Sequence, residues 1–310
     1  MTGGNKPIVT AIVPAYNHAK YVKQTIESII NQTYGYDNIE LLVIDDFSTD
    51  TTSDILNELS LKYDFRFFKN ISNRGVVENI NTLLKKANGK YIAMCASDDY
   101  WDLNKIQIQV DLMESLDSNY AVCHTGAFII NEQGKTIYTQ EKGTDYQECI
   151  MPKILISNGI VAPSALYKKS VFNEVGLFDE TIPFEDREMW IRISTKFKFK
   201  YVNKCLVYRR MHKTNVSRKI DQKESYFTFV AIFNKYKSYY KSYCLEKKFH
   251  YFLFNHMAVS DFKKSVFHAK KSGKYFFQIH TIYTLFKLFT PKFIYRLGLE
   301  SNLKKITKSW

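Results

Sequence analysis

The sequence contains few residues that break regular structure and no cysteine spacing that would cross-link it. Its 310 residues include only 6 prolines and 12 glycines, which argues against long disordered stretches. Its 5 cysteines are odd in number and show no CxxC spacing. This pattern favours reduced thiols in the cytoplasm over a disulfide framework or a zinc site.

Long apolar runs and glycine-rich phosphate loops are also missing. No apolar run approaches the roughly 18 to 20 residues that a membrane-spanning helix needs. The chain does not open with the basic and apolar segments of a signal peptide. Neither GxGxxG nor GxxxxGK[ST] occurs, so a bound diphosphate must be neutralised by a metal ion and cationic side chains.

The sequence does have a strong excess of positive charge, which lies almost entirely in its last third. The net charge is +13, and residues 220–310 hold 17 Lys+Arg against 5 Asp+Glu. The same segment holds 23 of the 48 aromatic residues. This change of composition predicts two regions, residues 1–218 and residues 219–310.

The first region alternates apolar runs with amphipathic segments. The runs that predict strands are residues 8–16, 39–45, 65–70 and 90–96. The segments that predict helices are residues 21–32, 49–63 and 75–89, the last closed by Gly89. Strands that are apolar almost throughout indicate an α/β fold with a mostly parallel sheet covered by helices on both faces.

Polar clusters follow three of the predicted strands: "PAYN" at 14–17, "DDFSTD" at 45–50 and "SDD" at 97–99. In a parallel sheet ligands bind beyond the carboxyl ends of the strands, so we expect these clusters to converge. Each cluster alone would suit a turn, and Asp50 alone would suit a helix cap. Together they suit a nucleotide and a divalent cation, because carboxylates are hard oxygen ligands.

The motifs VPAYN and VIDDFSTD, followed by "GKYIAMCASDDYW", resemble the family 2 glycosyltransferases over about residues 7–215. The resemblance implies an inverting, nucleotide-sugar-dependent enzyme with the Rossmann-like GT-A fold. The residues that it assigns to the nucleotide-sugar are Pro14, Ala15, Tyr16, Asn17, Asp46, Asn73, Asp98 and Arg210, with Lys213 an alternative to Arg210 at the diphosphate. It assigns a Mn²⁺ or Mg²⁺ ion to Asp98, Asp99 and His212.

The sequence departs from the family at one position of the acidic motif. The family usually has Asp-x-Asp there, and Ala96 stands in place of the first Asp. This replacement removes one carboxylate from the expected ribose and metal contacts. We therefore expect Asp98 to be the main metal ligand, with Asp99 beside it.

The segment "FEDREMW" resembles the family's ED-x-x-x-W element, in which the Asp is the catalytic base. By this resemblance Asp186 accepts the proton of the acceptor hydroxyl, and Glu185 orients the acceptor or braces the helix. An inverting displacement needs such a base within hydrogen-bond reach of the hydroxyl. Without the upstream motifs, Asp186 would be interpreted as a helix N-cap.

The resemblance implies transfer of a sugar from a UDP-sugar to a hydroxyl of a saccharide acceptor in polysaccharide-type biosynthesis. The basic, aromatic last region predicts helices with an inner packing face and an outer face for an anionic membrane. We therefore expect a lipid-linked acceptor and a peripheral location at the inner face of the cell membrane.

Other classes of function remain open from the sequence. A catalytically silent GT-A binding protein is one alternative, which Asp186 argues against and Ala96 mildly favours. A basic membrane or nucleic-acid adaptor is another, because nucleic-acid patches share the charge and the aromatics. No RNP-like or zinc-finger motif accompanies the basic region, so no nucleic-acid partner is expected.

The basic region generates a prediction about lipid. Full-length protein should bind anionic vesicles more tightly than neutral ones, by roughly 100-fold if about three lysines near the surface contribute about 1 kcal/mol each. High salt should weaken this binding, since exposed charges are screened over about 8 Å at physiological ionic strength. Vesicle co-sedimentation at two salt concentrations measures both effects. Tight oligonucleotide binding without a preference for anionic vesicles would contradict the membrane interpretation.

Overall fold

The computed structural model describes residues 8–141, 146–157, 159–182, 185–213, 215, 222–257, 268, 271 and 272. The chain divides into two compact units, Met1–Asn215 and Val216–Trp310. The region boundary expected near residue 218 lies outside the described residues.

A nine-stranded sheet forms the centre of the first unit. Its strands are β1 (Val9–Ala15), β2 (Ile39–Asp45), β3 (Arg66–Lys69), β4 (Tyr91–Met94), β5 (Tyr100–Trp101), β6 (Tyr120–Ile130), β7 (Thr136–Gln140), β8 (Leu166–Lys168) and β9 (Lys198–Arg210). The strand order is β3-β2-β1-β4-β8-β6-β9-β5, with β7 paired to β6.

The N-terminal half of the sheet is parallel and the rest is mixed. Strands β3, β2, β1 and β4 run parallel, while β8 is antiparallel to both β4 and β6. Strand β9 runs parallel to β6, and β5 is antiparallel to β9. The predicted α/β fold is confirmed. Its parallel half is the part that the apolar runs predicted.

Seven helices accompany the sheet in the described part of this unit. They are α1 (Val22–Ile30), α2 (Thr52–Tyr63), α3 (Val76–Lys86), α4 (Lys105–Ser115), α5 (Met151–Ile154), α6 (Val171–Val175) and α7 (Glu185–Ser194). Short 3₁₀ turns lie at Tyr36–Asn38 and Ala162–Ser164.

The core lies between the sheet and these helices. Helix α1 buries Val22, Ile26 and Ile29, which share one face at helical spacing and belong to the same apolar cluster as Val13 and Val43. Burying each such side chain contributes about 1.5–3 kcal/mol relative to leaving it exposed. This packing fixes the carboxyl ends of the strands, where the polar clusters lie.

Three helices make up the described part of the second unit: α8 (Gln222–Lys235), α9 (Lys237–Ser242) and α10 (Glu246–Met257). Their aromatic side chains pack together. Phe233 stacks on Phe249 with 4.3 Å between the ring centroids, and Tyr240 is fully buried. Lys247 and Lys248 of α10 are exposed. The inner aromatic face is thus present, and the rest of the predicted basic region lies outside the described residues.

Among the helices of residues 8–257 that the structure describes, none is both long and apolar enough to cross a bilayer.

Helix α3 ends at Lys86, so Gly89 does not close it as the sequence predicted. Gly89 instead lies against β1, where its N–H donates to Thr10 Oγ1 at 2.9 Å. A Cβ at Gly89 would lie 2.5 Å from the backbone nitrogen of Thr10 and 2.8 Å from the carbonyl oxygen of Ile8. The absence of a side chain lets the chain pass this close before it enters β4.

This close approach predicts that Gly89→Ala destabilises the fold by about 1–3 kcal/mol, because backbone atoms rather than a flexible side chain must move. Chemical denaturation measures the change. Lys85→Ala is the matched control, since Lys85 is exposed on α3 and should change stability by less than about 0.5 kcal/mol. Equal stability of both variants would contradict the packing argument.

Candidate functional site

The segments that follow β1 and β2 are joined by hydrogen bonds. Asn17 adopts a left-handed conformation (φ 53°), which Asn tolerates better than most residues. Its Oδ1 accepts from the N–H of Thr49 at 2.8 Å, and its own N–H donates to Ser48 Oγ at 2.9 Å. Asp50 accepts from the N–H of Thr52 at 2.9 Å, next to the start of α2. The first two predicted clusters therefore converge.

Asp46 holds the segment that follows β3. Its carboxylate accepts from the backbone N–H groups of Arg74 and Gly75 at 2.7 and 2.9 Å and from Asn70 Nδ2 at 2.9 Å. Asn73 Nδ2 donates to the carbonyl oxygen of Asp46 at 3.2 Å. Burial alone would raise the pKa of Asp46, but hydrogen bonds to its carboxylate, from Asn79, Arg74, Asn70 and Gly75, outweigh burial and lower the pKa.

Apolar rings border this edge of the sheet. Pro14 and Ala15 end β1, and Tyr16 directly after them is 40% exposed. Phe47, after Asp46, is 49% exposed and has φ 62°. Ala15 pairs with Asp45 in the β1–β2 register, so the two aromatic residues follow neighbouring strand ends. This placement suits the face of a nucleobase, which is flat and apolar.

Three potential metal ligands meet beyond β4. His18, Asp98 and His212 each offer one ligand atom, and these atoms lie within 4.8 Å of one another. His212 Nε2 lies 2.8 Å and His18 Nε2 3.8 Å from Asp98 Oδ2. Two imidazole nitrogens and one carboxylate oxygen form a donor set that divalent cations accept. The residues therefore fit a divalent metal ion.

Neighbouring polar groups orient these ligands. Ser97 Oγ lies 2.8 Å from His18 Nδ1, and the N–H of His18 donates to Thr52 Oγ1 at 2.8 Å. Asn215 Nδ2 donates to Asp98 Oδ2 at 3.0 Å, and Asn215 Oδ1 accepts from the N–H of His212 at 2.6 Å. Such supporting contacts are typical of metal ligands.

Asp99 lies outside this cluster, in contrast to the expectation that it assists Asp98. Its Oδ1 accepts from the N–H of Arg210 at 2.7 Å, and its side chain is buried. Burial and the neighbouring Asp98 charge raise the pKa of Asp99 well above its ordinary value. Burial also pushes the pKa of Asp98 upward, but the His212 hydrogen bond and the two histidine charges lower it overall.

Arg210, which the sequence predicted at the diphosphate, makes extensive contacts within the protein. The guanidinium is buried and lies 4.6 Å from the Tyr21 ring centroid. Its N–H groups donate to Gln24 Oε1 and to the carbonyl oxygens of Asp98, Asn131 and Glu132. These contacts join β9 to the loop after β4. Lys213 is exposed.

Helix α7 carries the predicted base, Asp186, in its first turn. The N–H of Arg187 donates to Asp186 Oδ1 at 2.6 Å, and Trp190 Nε1 donates to Tyr167 OH at 2.8 Å. Burial raises the pKa of Asp186, and the nearby Arg209 and Arg187 charges offset this only in part. The Glu185 side chain lies outside the described residues.

The sequence interpretation missed His18. Its signal was the histidine directly after the PAYN cluster, in a segment that was expected at the nucleotide. His212, the histidine that the sequence did predict, is buried and lies in the same cluster as His18 and Asp98. Arg209 was missed as well, although its charge acts on both Asp99 and Asp186.

Comparisons with known proteins agree with the motifs. Residues 10–176 match the model of the family described as Glycosyl transferase family 2. The chain is 31% identical to the UDP-Glc:alpha-D-GlcNAc-diphosphoundecaprenol beta-1,3-glucosyltransferase WfaP of Escherichia coli, over 68% of this chain and 80% of WfaP. It is 28–29% identical to three uncharacterised glycosyltransferases of Rickettsia and spans only 31–36% of their lengths.

Two solved structures share the fold. S. aureus TarS 1–349 in complex with UDP-GlcNAc has a TM-score of 0.62 at 18% identity, covering 91% of this chain and 80% of the TarS 1–349 chain. Mannosyltransferase PcManGT from Pyrobaculum calidifontis, in complex with GDP-Man and Mn²⁺, has a TM-score of 0.62 at 16% identity, covering 90% of this chain and 84% of PcManGT. At these identities the likeness concerns the fold.

The buried contacts of Arg210 generate a prediction. Arg210→Lys keeps the charge but loses the planar fork, leaving buried carbonyl oxygens without donors at a cost of about 1–3 kcal/mol. Denaturation without nucleotide measures this loss. Arg209→Lys is the matched control, because Arg209 is only half-buried. If Arg210→Lys weakened UDP binding without lowering stability, Arg210 would contact the diphosphate after all.

Proposed function

This chain belongs to glycosyl transferase family 2, and we propose that it transfers a sugar from a UDP-sugar to a hydroxyl of a saccharide acceptor with inversion. The observation that carries the proposal is the convergence of Asp98 and His212 beside the loops after β1 and β2. UDP as the donor nucleotide is supported by the names of WfaP and of the TarS complex.

A divalent ion, Mn²⁺ or Mg²⁺, would be held by Asp98 and His212. When bound, it neutralises negative charge on the leaving diphosphate, a contribution worth several kcal/mol to the transition state. The Mn²⁺ in the PcManGT complex supports this assignment. Tyr16 and Phe47 would cover the nucleobase, while Asp46 and Asn73 would keep the segment after β3 in place.

Asp186 would act as the base. Its carboxylate takes the proton of the acceptor hydroxyl while that oxygen bonds to the anomeric carbon, and the bond from this carbon to the diphosphate oxygen breaks. UDP leaves with the bonding electrons, and the product is the new glycoside. The raised pKa of Asp186 supports this role, because a carboxylate whose pKa lies closer to the working pH is a better proton acceptor.

The acceptor would be a lipid-linked saccharide, met by a peripheral enzyme at the inner face of the membrane. WfaP, by its name, acts on a diphosphoundecaprenol-linked sugar. Exposed Lys247 and Lys248 on α10 would contribute to contact with anionic headgroups. Residues 1–218 would then carry the chemistry and residues 219–310 the membrane contact.

The proposed base generates a prediction. Asp186→Asn keeps the shape of the side chain but cannot accept the proton, so transfer should slow by roughly 10²- to 10⁴-fold. UDP affinity should be unchanged because the base acts on the acceptor. Initial-rate assays and UDP titrations measure both quantities. Asp54→Asn is the control, since Asp54 is exposed on α2. Near-normal transfer by Asp186→Asn would assign the base to another residue.

The same residue predicts a pH dependence. The wild-type rate should fall as pH drops through the pKa of Asp186, and this fall should lie above the ordinary range of Asp because burial raises that pKa. A carboxyl whose folded pKa is raised costs stability once pH exceeds its unfolded value of about 3.9. Asp186→Asn should therefore be at least as stable as wild type at pH 7, which thermal melting measures. A marked loss of stability would indicate that Asp186 is structural.

A further inference from the structure

We propose that His18 completes a His-Asp-His metal centre with Asp98 and His212, and that this donor set selects transition-metal ions such as Mn²⁺ over Mg²⁺. The inference rests on the proposed function, in which this centre serves the donor diphosphate. It adds a ligand and a metal preference to that function.

The geometry of the three side chains supports a shared ion. The His18 and His212 ring centroids lie 5.5 Å apart with an interplanar angle of 89°, so the two imidazoles are close neighbours with nearly perpendicular rings. Both Nε2 atoms lie near the same oxygen, Asp98 Oδ2, at 2.8 Å for His212 and 3.8 Å for His18. Metal–ligand bonds of about 2.0–2.2 Å place donor atoms about 3–3.5 Å apart. Separations within 4.8 Å therefore require only small side-chain movements.

Ser97 sets the orientation of His18. A proton on His18 Nδ1 donated to Ser97 Oγ, at 2.8 Å, leaves the lone pair on Nε2, the atom that faces Asp98. Ser97 is itself buried, and the backbone N–H of His18 is held by Thr52 Oγ1. The imidazole is thus fixed by both its backbone and its second ring nitrogen. Ser97 is therefore a positioning residue, which acts on the metal centre through His18.

Among the residues that the structure describes, carboxylate ligands that would favour Mg²⁺ are few at this point. Ala96 is exposed and offers no side-chain ligand, and the Asp99 carboxylate accepts from the Arg210 N–H. Asp98 is then the one carboxylate in the cluster, opposed by two imidazoles. Mg²⁺ prefers oxygen ligands, whereas imidazole nitrogens suit divalent transition metals, of which Mn²⁺ binds the most weakly. The nitrogen-rich set therefore disfavours Mg²⁺.

The test uses full-length protein with UDP and measures binding rather than transfer. Calorimetry with Mn²⁺ and with Mg²⁺ gives the preference, and pulsed EPR of bound Mn²⁺ counts coupled imidazole nitrogens. Wild type should prefer Mn²⁺ by at least about tenfold and show two imidazoles. His18→Ala should show one imidazole, and His18→Asp should bind both ions with the Mn²⁺ preference reduced about tenfold. Ser97→Ala should lower the affinity for Mn²⁺ by about 10- to 100-fold.

Lys20→Ala, two residues from His18 and exposed, is the control and should match wild type in both measurements. His18→Asp guards against misfolding, because it retains metal binding only if the fold is intact. One coupled imidazole in wild type, unchanged by His18→Ala, would overturn the inference while leaving the proposed function standing. Unchanged Mn²⁺ binding by Asp98→Asn would instead remove the metal from the proposed function, and the inference with it.

Discussion

The burial of two adjacent carboxylates at the end of β4 is the constraint around which the first unit is arranged. Like charges this close cannot both ionise cheaply away from water. The fold resolves the conflict by giving the two residues opposite surroundings. Asp98 faces an Asn215 amide and the two histidines. Burial raises the pKa of Asp98, but the His212 hydrogen bond and the His18 and His212 charges lower it overall. Asp99 faces inward, where burial and the Asp98 charge raise its pKa.

Because their pKa values shift in opposite directions, Asp98 and Asp99 are suited to different tasks. Asp98 stays ionised and is available to a cation. Asp99 accepts from the backbone N–H of Arg210, whose guanidinium donates to the carbonyl oxygens of Asp98 and Glu132. These contacts join the acidic loop to β9. His212, two residues after Arg210, therefore lies beside the Asp98 carboxylate.

The site also draws on the interlocked loops at the parallel half of the sheet. The side chains of Asn17 and Asp46 accept hydrogen bonds from backbone N–H groups of other segments. These hydrogen bonds maintain the shape of the crevice. His18 lies next to Asn17 and is carried into the metal cluster by the same loop. In the proposed function, the loop that shapes the nucleotide crevice would therefore also supply a metal ligand, and one short segment would couple the nucleotide and metal positions.

The sequence alone determined the α/β fold, the parallel strands β1 to β4 and the convergence of the PAYN and DDFSTD clusters. Apolar runs, helical spacing and turn residues are local signals, and parallel strands must bring their carboxyl ends to one edge. Motifs that resemble a known family also predicted Asp98, His212 and Asp186 as site residues, and the structure brings Asp98 and His212 together. The sequence did not predict that α3 ends at Lys86 rather than at Gly89. Gly89 packs closely against Thr10 of β1, and this contact between distant segments leaves no local signal.

Only the tertiary structure decided which of the neighbouring polar residues face the site. Asp98 and Asp99 are adjacent and chemically identical, yet one meets two histidines and the other meets the Arg210 N–H. Arg209 and Arg210 differ in the same way, because successive residues of a strand point to opposite faces. His18 and His212 are separated by most of the first unit in sequence and meet only when the sheet assembles. Side-chain direction depends on register and long-range packing, which a single sequence does not display.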